Sequence, residues 1–297
     1  EYKRDPSGYV SDSDRVGVEK YDAQGRLTYK SKYQSTYLYT DTKYIYNEDG
    51  SRREVSYSEH SDSPNSPRNI ASDKTYDKNG RLVRSASYGG HSSNDSGLPT
   101  TEVLYSYDSN GEISTKTTIE YRVDWSSSRC YEQTKKSETV TDKNGKVLSK
   151  VTYESFYQDE YTGEDIQKKR RIETINDGDK STVTTYIENQ LSKEVVTDNA
   201  KNTKTITTYK NGKKAQAIVQ DLNGNKISEI LYNSNGKLLF EVKVTKNGND
   251  TEETTTFADG RTAVRKNGAT SAVLKDKNGE TVGSIERHNA KVVTGTT

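Results

Sequence analysis

The stretch YDKNGRLVRSASY, at residues 76–88, combines a tyrosine, a glycine turn and a short strand-like run that ends in a second tyrosine. Two close copies appear in the chain, YDAQGRLTYKSKY at 21–33 and YDSNGEISTKTTIEY at 107–121. Tight hairpin turns need positive φ, which glycine adopts without steric cost and which Asn and Asp tolerate better than other side chains. Each copy therefore predicts a β-hairpin.

The spacing of the turn glycines extends this pattern along the chain. The first group lies about 25–34 residues apart, at Gly25, Gly50, Gly80, Gly111, Gly145 and Gly178. The second group lies twelve residues apart, at Gly212, Gly224, Gly236, Gly248 and Gly260. Parallel strands need a crossover of about a dozen residues or more, so the short repeats predict antiparallel neighbours. Gly224 and Gly236 are predicted to have positive φ.

The change of period predicts two regions of one continuous sheet. Residues 1–187 carry long-period, YD-like hairpin repeats with long loops on one edge, and residues 188–297 carry the twelve-residue hairpin repeats. The expected fold class is all-β, an extended antiparallel β-meander. Strands such as DTEETTTF, at 250–257, have no clear buried face, so the sheet is expected to be either largely single-layer or loosely curled.

Composition predicts a folded chain with a thin core. Hydrophobic residues make up 28% of the chain and charged residues 30%. Disordered chains combine high net charge with few aromatic residues, whereas here 45 Lys and Arg balance 44 Asp and Glu, and 22 residues are Tyr. Thr, Val, Ile and Tyr all favour strands.

Charge and hydropathy exclude several partners. A formal net charge of +1 gives no electrostatic basis for binding nucleic acid or an anionic membrane. No apolar run approaches the ~18–20 residues of a membrane span. Cys130 is the one cysteine, so an intramolecular disulfide cannot form.

The composition also indicates an environment. The chain begins at Glu1 and contains no Met, so we expect a processed form or a piece of a longer protein. Low cysteine content with abundant Thr, Ser, Asn, Lys and Tyr is typical of bacterial exported proteins. We therefore expect a secreted or cell-surface location.

Polar stretches between the early hairpins predict a binding edge. They are residues 58–72, 89–100, 122–133 and 156–167. Alternate turns of a meander emerge at opposite edges, so these loops are expected to share one edge. Aromatic side chains with Arg are enriched at binding surfaces, and the candidate binding residues are Trp125, Arg129, Tyr131, Phe156, Tyr157 and Tyr161. The alternative is that Trp125 packs over the sheet edge as a small satellite core.

Motifs for catalysis and metal binding do not occur in the sequence. There is no GxSxG, HExxH, P-loop or dinucleotide fingerprint. The carboxylates have Lys and Arg neighbours, and solvated cross-strand pairing accounts for them. His60 and His91, with Asp62, Asn94 and Asp95 nearby, could hold a metal, but the favoured interpretation is ordinary loop residues. We expect no catalytic residues, no metal and no cofactor.

The clauses YDAQGRL (21–27), YDKNGRL (76–82) and YDSNGEI (107–113) resemble the YD repeat of bacterial Rhs-type and related surface proteins. Later copies such as YNSNGKL (232–238) are similar to the short Tyr-x-Asn-Gly-Lys hairpin repeats of other bacterial exported proteins. The resemblance implies long β-sheets, which in full-length Rhs proteins curl into a shell around a toxin domain. The chain lacks the many-repeat length of a shell and a recognisable toxin or self-cleavage module. The resemblance implies no catalytic residues.

Three functional hypotheses follow. The first is a non-enzymatic extracellular or cell-surface scaffold for attachment, matrix or ligand binding, with a protein or glycan partner. The alternative is a fragment of a larger Rhs-like toxin-delivery or shell protein whose activity lies outside this chain. An enzyme acting on polysaccharide ranks third.

Self-association is expected at the C-terminal edge, residues 285–297, because AKVVTGTT lacks Pro and acidic residues that would discourage strand pairing.

Overall fold

A computed structural model of the chain describes most of its residues, and every regular element among them is a β-strand. The described residues are 17–34, 37–58, 70–88, 98–125, 131–155, 157–158, 165–166 and 168–286. This part of the chain contains no helix, which confirms the expected all-β class.

The chain has 23 strands in this description. The first twelve are β1 (Val18–Tyr21), β2 (Leu27–Gln34), β3 (Tyr37–Tyr46), β4 (Arg52–Ser58), β5 (Ile70–Tyr76), β6 (Leu82–Ser87), β7 (Thr101–Tyr107), β8 (Ile113–Trp125), β9 (Tyr131–Asp142), β10 (Val147–Glu154), β11 (Tyr157–Gln158) and β12 (Asp165–Ile166). The others are β13 (Arg170–Asp177), β14 (Lys180–Ile187), β15 (Gln190–Asp198), β16 (Thr203–Lys210), β17 (Lys213–Asp221), β18 (Lys226–Tyr232), β19 (Leu238–Asn247), β20 (Asp250–Phe257), β21 (Thr262–Lys266), β22 (Ser271–Lys275) and β23 (Thr281–Glu286).

Strand pairing confirms the antiparallel meander. Strands β11 and β12 pair with each other in a separate two-stranded sheet. The chain divides into two compact units, Glu1–Thr152 and Tyr153–Thr297. In the first unit each strand from β1 to β10 pairs antiparallel with the next in sequence. In the second unit the strands from β13 to β23 do the same. The predicted change of period after residue 187 stays a prediction.

The strands on either side of a long connection pair with each other. Strands β4 and β5 flank the long connection 59–69 and pair with each other, with Ser56 opposite Ser72. Strands β8 and β9 flank residues 126–130 and also pair. The placement of the long loops of residues 1–187 on one edge stays a prediction, because these loops lie mostly outside the described residues.

The Asp of the repeated clause stabilises its turn. In YDKNGRL the Oδ1 atom of Asp77 accepts hydrogen bonds from the backbone N–H groups of Asn79 and Arg81, both at 2.9 Å. The Arg81 Nε donates to the other carboxylate oxygen at 2.8 Å. Five other turns have an Asp or Asn that accepts the same two backbone bonds, at Asp22, Asp108, Asp142, Asn233 and Asp276.

Glycine supplies the positive φ that closes the turn of the repeated clause. Gly80 has a φ of 78° in this clause. The prediction for the short repeats is confirmed, because φ is 88° at Gly224 and 78° at Gly236.

The Tyr, Arg and Leu of the clause connect successive hairpins. The hydroxyl of Tyr107 donates to the carbonyl oxygen of Leu82, which lies in the preceding hairpin, at 2.7 Å. The guanidinium carbon of Arg81 lies 4.8 Å from the centroid of the Tyr107 ring, within cation–π range. The same two contacts recur earlier in the chain at Tyr46, Arg26 and Leu27. The Asp and Gly of the clause therefore close its turn, and its Tyr, Arg and Leu contact a neighbouring hairpin.

The core is thin, as composition predicted. The buried hydrophobic residues of the described part are Val55, Ala86, Ile119, Ala217 and Ala263. Ala86 has no exposed surface, and Arg84 stands two residues away on the same face of β6. We infer that the aliphatic stems of such long side chains cover the small residues, since Lys and Arg bury their stems along apolar surface.

In the first unit, a network of ion pairs and hydrogen bonds around a buried carboxylate accompanies the small apolar core. Asp73 is 1% exposed, and its carboxylate accepts bonds from Arg53 at 2.6 and 2.8 Å and from Arg84 at 3.0 Å. Burial alone would raise the pKa of Asp73, but the two guanidinium groups outweigh it and hold the pKa below its usual value. Arg84 also pairs with Glu102, which accepts a 2.6 Å bond from the Tyr121 hydroxyl. Burial and this carboxylate raise the pKa of Tyr121 to about 12.

Candidate functional site

The predicted loop edge is only partly within the described residues. Trp125 is the last residue of β8 and Tyr131 the first residue of β9, and they lie directly opposite each other in the ladder. Tyr157 lies in the small β11–β12 hairpin, opposite Ile166. The other three candidates, Arg129, Phe156 and Tyr161, lie outside the described residues. The aromatic binding edge therefore stays a prediction.

The histidines of the alternative metal site also lie outside the described residues. His60, His91 and His288 all fall on residues that are not described. Within the described ranges, no group of three or more His, Cys, Asp or Glu residues is placed to hold a metal ion.

Residues of strands β18–β23 line a groove on one face of the sheet, and we call it the β18–β23 groove. It encloses about 380 Å³, which falls at the lower end of the range for ligand pockets. Its apolar lining consists of Leu231, Phe240, Val242, Phe257, Ala263, Ala272 and Ile285. Its polar lining consists of Lys226, Glu229, Glu253, Thr255, Thr270 and Arg265.

The strand register explains why these side chains share a face. Residues directly opposite each other in an antiparallel pair point to the same side of the sheet. Leu231 lies opposite Phe240, which lies opposite Phe257. A second row crosses the same strands from Val242 to Thr255. The groove floor is therefore assembled from alternate residues of consecutive strands.

Two phenylalanines form the aromatic part of the groove. The Phe240 and Phe257 ring centroids are 6.3 Å apart and the rings are inclined at 62°, an edge-to-face pair. The guanidinium of Arg261, in the turn after β20, lies 5.7 Å from the Phe257 centroid. The rings stand at an angle to each other and do not form a common flat platform.

The charged groups of the groove are bonded to one another. Arg265 forms an ion pair with Glu253, its opposite residue on the neighbouring strand. Glu229 accepts a 3.0 Å bond from Lys226 and a 2.6 Å bond from the Gln216 side chain. Two cations balance two carboxylates, so the groove favours an uncharged apolar ligand.

Part of this site was visible in the sequence. The alternation in KLLFEVKV, residues 237–244, indicates a shared face for Phe240 and Val242, and the observed register agrees with it. The sequence DTEETTTF gave no apolar pattern, so the contributions of Thr255 and Phe257 were missed. The one available signal was Phe257 itself, an apolar residue whose face depends on pairing with Phe240.

In the described ranges, no helix has the length and apolar character needed to cross a membrane.

Comparisons with known proteins identify no family. No protein-family model matches the chain, and no curated protein matches it either. Among solved structures, TcdB2-TccC3 without its hypervariable C-terminal region is 11% identical, with 94% of this chain and 15% of that chain covered and a TM-score of 0.25. A second structure of TcdB2-TccC3 is also 11% identical, with coverage of 87% and 15% and a TM-score of 0.24.

A third solved structure is a porin-like protein from Bacteroides uniformis. It is 13% identical, the match covers 84% of this chain and 89% of that chain, and the TM-score is 0.20. This chain spans about 15% of the length of the TcdB2-TccC3 chains. Superpositions at these TM-scores do not establish a shared fold.

Proposed function

We propose that this chain is a non-enzymatic β-repeat scaffold, secreted or held at a bacterial cell surface, that binds a polypeptide ligand through the β18–β23 groove. The observation that carries the proposal is the groove itself, an apolar concavity of about 380 Å³ with internally paired charges. A scaffold of hairpins positions such a surface without a large core, because neighbouring strands supply both the floor and the hydrogen bonds.

A polypeptide fits the groove better than a glycan does. Sugar rings stack on flat aromatic faces, whereas Phe240 and Phe257 are inclined at 62°. Glycans also need polar groups that are available for bonding, whereas the charges of Glu253 and Arg265 bind each other. Apolar side chains of an extended peptide need neither feature. By covering the groove lining they would remove it from water, and this burial would stabilise the complex by roughly 25 cal/mol per Å² of apolar surface.

The non-enzymatic part of the proposal is supported by how the charged groups are used. Glu229 and Glu253, the two carboxylates of the groove, both bind side chains of the protein. Glycoside hydrolysis would need two carboxyl groups facing a bound sugar at a set separation. Turnover in a hydrolase panel that disappears when one carboxylate is replaced would contradict this part.

Peptide selection with a blocked groove tests the proposal. The probe is a phage-displayed library of random dodecapeptides, selected on the intact chain. Thr255→Lys places a long cation on the groove floor, and we expect it to weaken the selected peptides by at least about ten-fold, or 1.4 kcal/mol. We expect those peptides to carry apolar residues at alternate positions.

The control is Thr256→Lys, the same change at the next residue of β20. Thr256 is exposed and points to the opposite face, so peptide affinity should stay unchanged. Equal effects of the two substitutions, or no selected peptides, would overturn the groove as the binding site. If the parent chain binds a glycan array, and Thr255→Lys removes that binding while Thr256→Lys does not, the ligand of the groove is a glycan and not a polypeptide.

A second candidate function is supported by the contacts between hairpins in the first unit. The Tyr107 bond to Leu82 and its contact with Arg81 join successive YD clauses, as a long repeat wall would require. This favours a piece of a larger YD-repeat shell or toxin-delivery protein. The length of the full gene product separates the two candidates: a product of a thousand or more residues with a distinct C-terminal domain would favour the second.

A further inference from the structure

The last described strand, β23, has the features of an interaction edge. All six residues of Thr281–Glu286 are exposed. Within the described ranges β23 pairs with β22 alone. The outer side of such a strand presents backbone donors and acceptors to any added strand, and natural edges are blunted by Lys, Pro or inward charges. TVGSIE has one charged residue, Glu286, at its end.

The first described strand differs in this respect. Strand β1 carries Glu19 and Lys20 among its four residues. Glu19 also pairs with Lys30 of β2 at 2.9 Å. These charges oppose the addition of another strand, so β23 is the better template of the two.

The side chains of β23 complement a second copy of the same strand. Ile285 is 40% exposed, and Gly283 stands two residues before it on the same face. A Cβ atom added at Gly283 would meet no heavy atom within 4 Å, so space is open above it. In an antiparallel pair centred on Ser284, Ile285 of each copy lies opposite Gly283 of the other. Each isoleucine then fills the space above a glycine.

The charges permit this register. Glu286 of one copy lies opposite Val282 of the other, and the two Glu286 residues are four positions apart, about 13 Å along the strands. Ser284 faces Ser284 at the two-fold axis. Ile285 also lines the β18–β23 groove, so the grooves of the two copies meet along the same face of the sheet.

We infer that the chain forms a two-fold symmetric dimer through antiparallel pairing of β23 with β23 of a second copy, centred on Ser284. The interface is isologous, since each copy contributes the same isoleucine and the same glycine. The inference goes beyond the proposed function because it gives the scaffold two binding grooves. One added ladder buries much less than the ~1,200 Å² of a stable interface, so the dimer is weak and forms at high protein concentration.

Cysteine cross-linking tests the register. Cys130 is replaced by Ser, and Ser284→Cys is introduced in the full chain. Opposite Cβ atoms in an antiparallel pair are about 4.5–5.5 Å apart, close to disulfide range, so mild oxidation should give a covalent dimer. The matched control is Val282→Cys, on the same face of the same strand, whose two copies would be about 13 Å apart. We expect the dimer to form at least about ten-fold faster with Cys at 284 than at 282.

Sedimentation of the uncross-linked chain at several hundred micromolar supplies the second measurement. Ile285→Ser should shift the equilibrium toward monomer, and Val282→Ser should not. A parent that stays monomeric, equal cross-linking at 282 and 284, or an unchanged dimer in Ile285→Ser would overturn the inference. Thr255→Lys lies away from β23 and should leave cross-linking intact, so failure of peptide binding and failure of dimer formation are distinguishable.

Discussion

The Asp77 side chain supplies hydrogen-bond acceptors to backbone N–H groups of its turn. Its carboxylate accepts from two turn N–H groups, as Asx turns do generally. Desolvation raises the pKa of Asp77, but the bonds from Arg81 outweigh it and the pKa falls below its usual value. Asn233 performs the same task with an uncharged oxygen. The acceptor is therefore the shared requirement, and the charge adds a dependence on pH.

Substitution of Asp77 separates these two contributions. Asp77→Ala removes the acceptor, and we expect the midpoint of thermal unfolding at pH 7 to fall by about 2–4 °C. Asp77→Asn keeps the acceptor, as Asn233 does, and should change the midpoint less.

The pH dependence of the same variants has a defined sign. A carboxyl with a lowered folded pKa stabilises the protein above its unfolded pKa, about 3.9, and this contribution disappears as pH falls through the folded value. The stability difference between parent and Asp77→Asn should therefore shrink below about pH 4. Calorimetry from pH 2 to 7 checks this, and an Asn variant as unstable as the Ala variant would contradict the role of the acceptor.

At the scale of elements, two pairs of successive hairpins are joined by a Tyr–Arg contact as well as by the strand ladder, at Arg26–Tyr46 and Arg81–Tyr107. The Arg81–Tyr107 pair should show a coupling of about 0.5–1 kcal/mol in a double-mutant cycle of Arg81→Ala and Tyr107→Ala. Arg81 with Tyr46 is the control pair, because Tyr46 contacts Arg26 instead. Urea unfolding measures both cycles. Additive effects for the first pair, or equal coupling in both, would contradict the contact between hairpins.

The strands were predictable because turn chemistry is local. The spacing of Gly212, Gly224 and Gly236 predicted one short strand between successive turns, and β17 and β18 lie in those two intervals. The partners of Asp73 were not predictable in this way. They depend on the register across the long connection before β5, which places Val55 opposite Asp73 and brings Arg53 beside it.

The groove was only half predictable for a similar reason. Periodicity identifies which residues of one strand share a face, as it did for Phe240 and Val242. Whether that face is concave depends on how the strands from β18 to β23 twist against one another, and twist is set by all pairs together. No single segment carries that information.

At the scale of the whole molecule, the main contacts within each unit join strands that are neighbours in sequence. The buried hydrophobic residues of the described part are few, and three of the five are alanines. We therefore attribute the stability of each unit to ladders, turn bonds and contacts between hairpins summed along the chain, as in repeat proteins. The central claim is that consecutive strands pair antiparallel from β1 to β10 and from β13 to β23.

Cross-strand proton contacts measured by NMR on the isotope-labelled chain test that claim most directly. Antiparallel pairing brings the backbone protons of opposite residues together. We predict Hα–Hα or HN–HN contacts for Val195 with Ile206, Ile206 with Ile218, and Ile218 with Glu229. Absence of these contacts, or a set connecting strands that run parallel, would contradict the account.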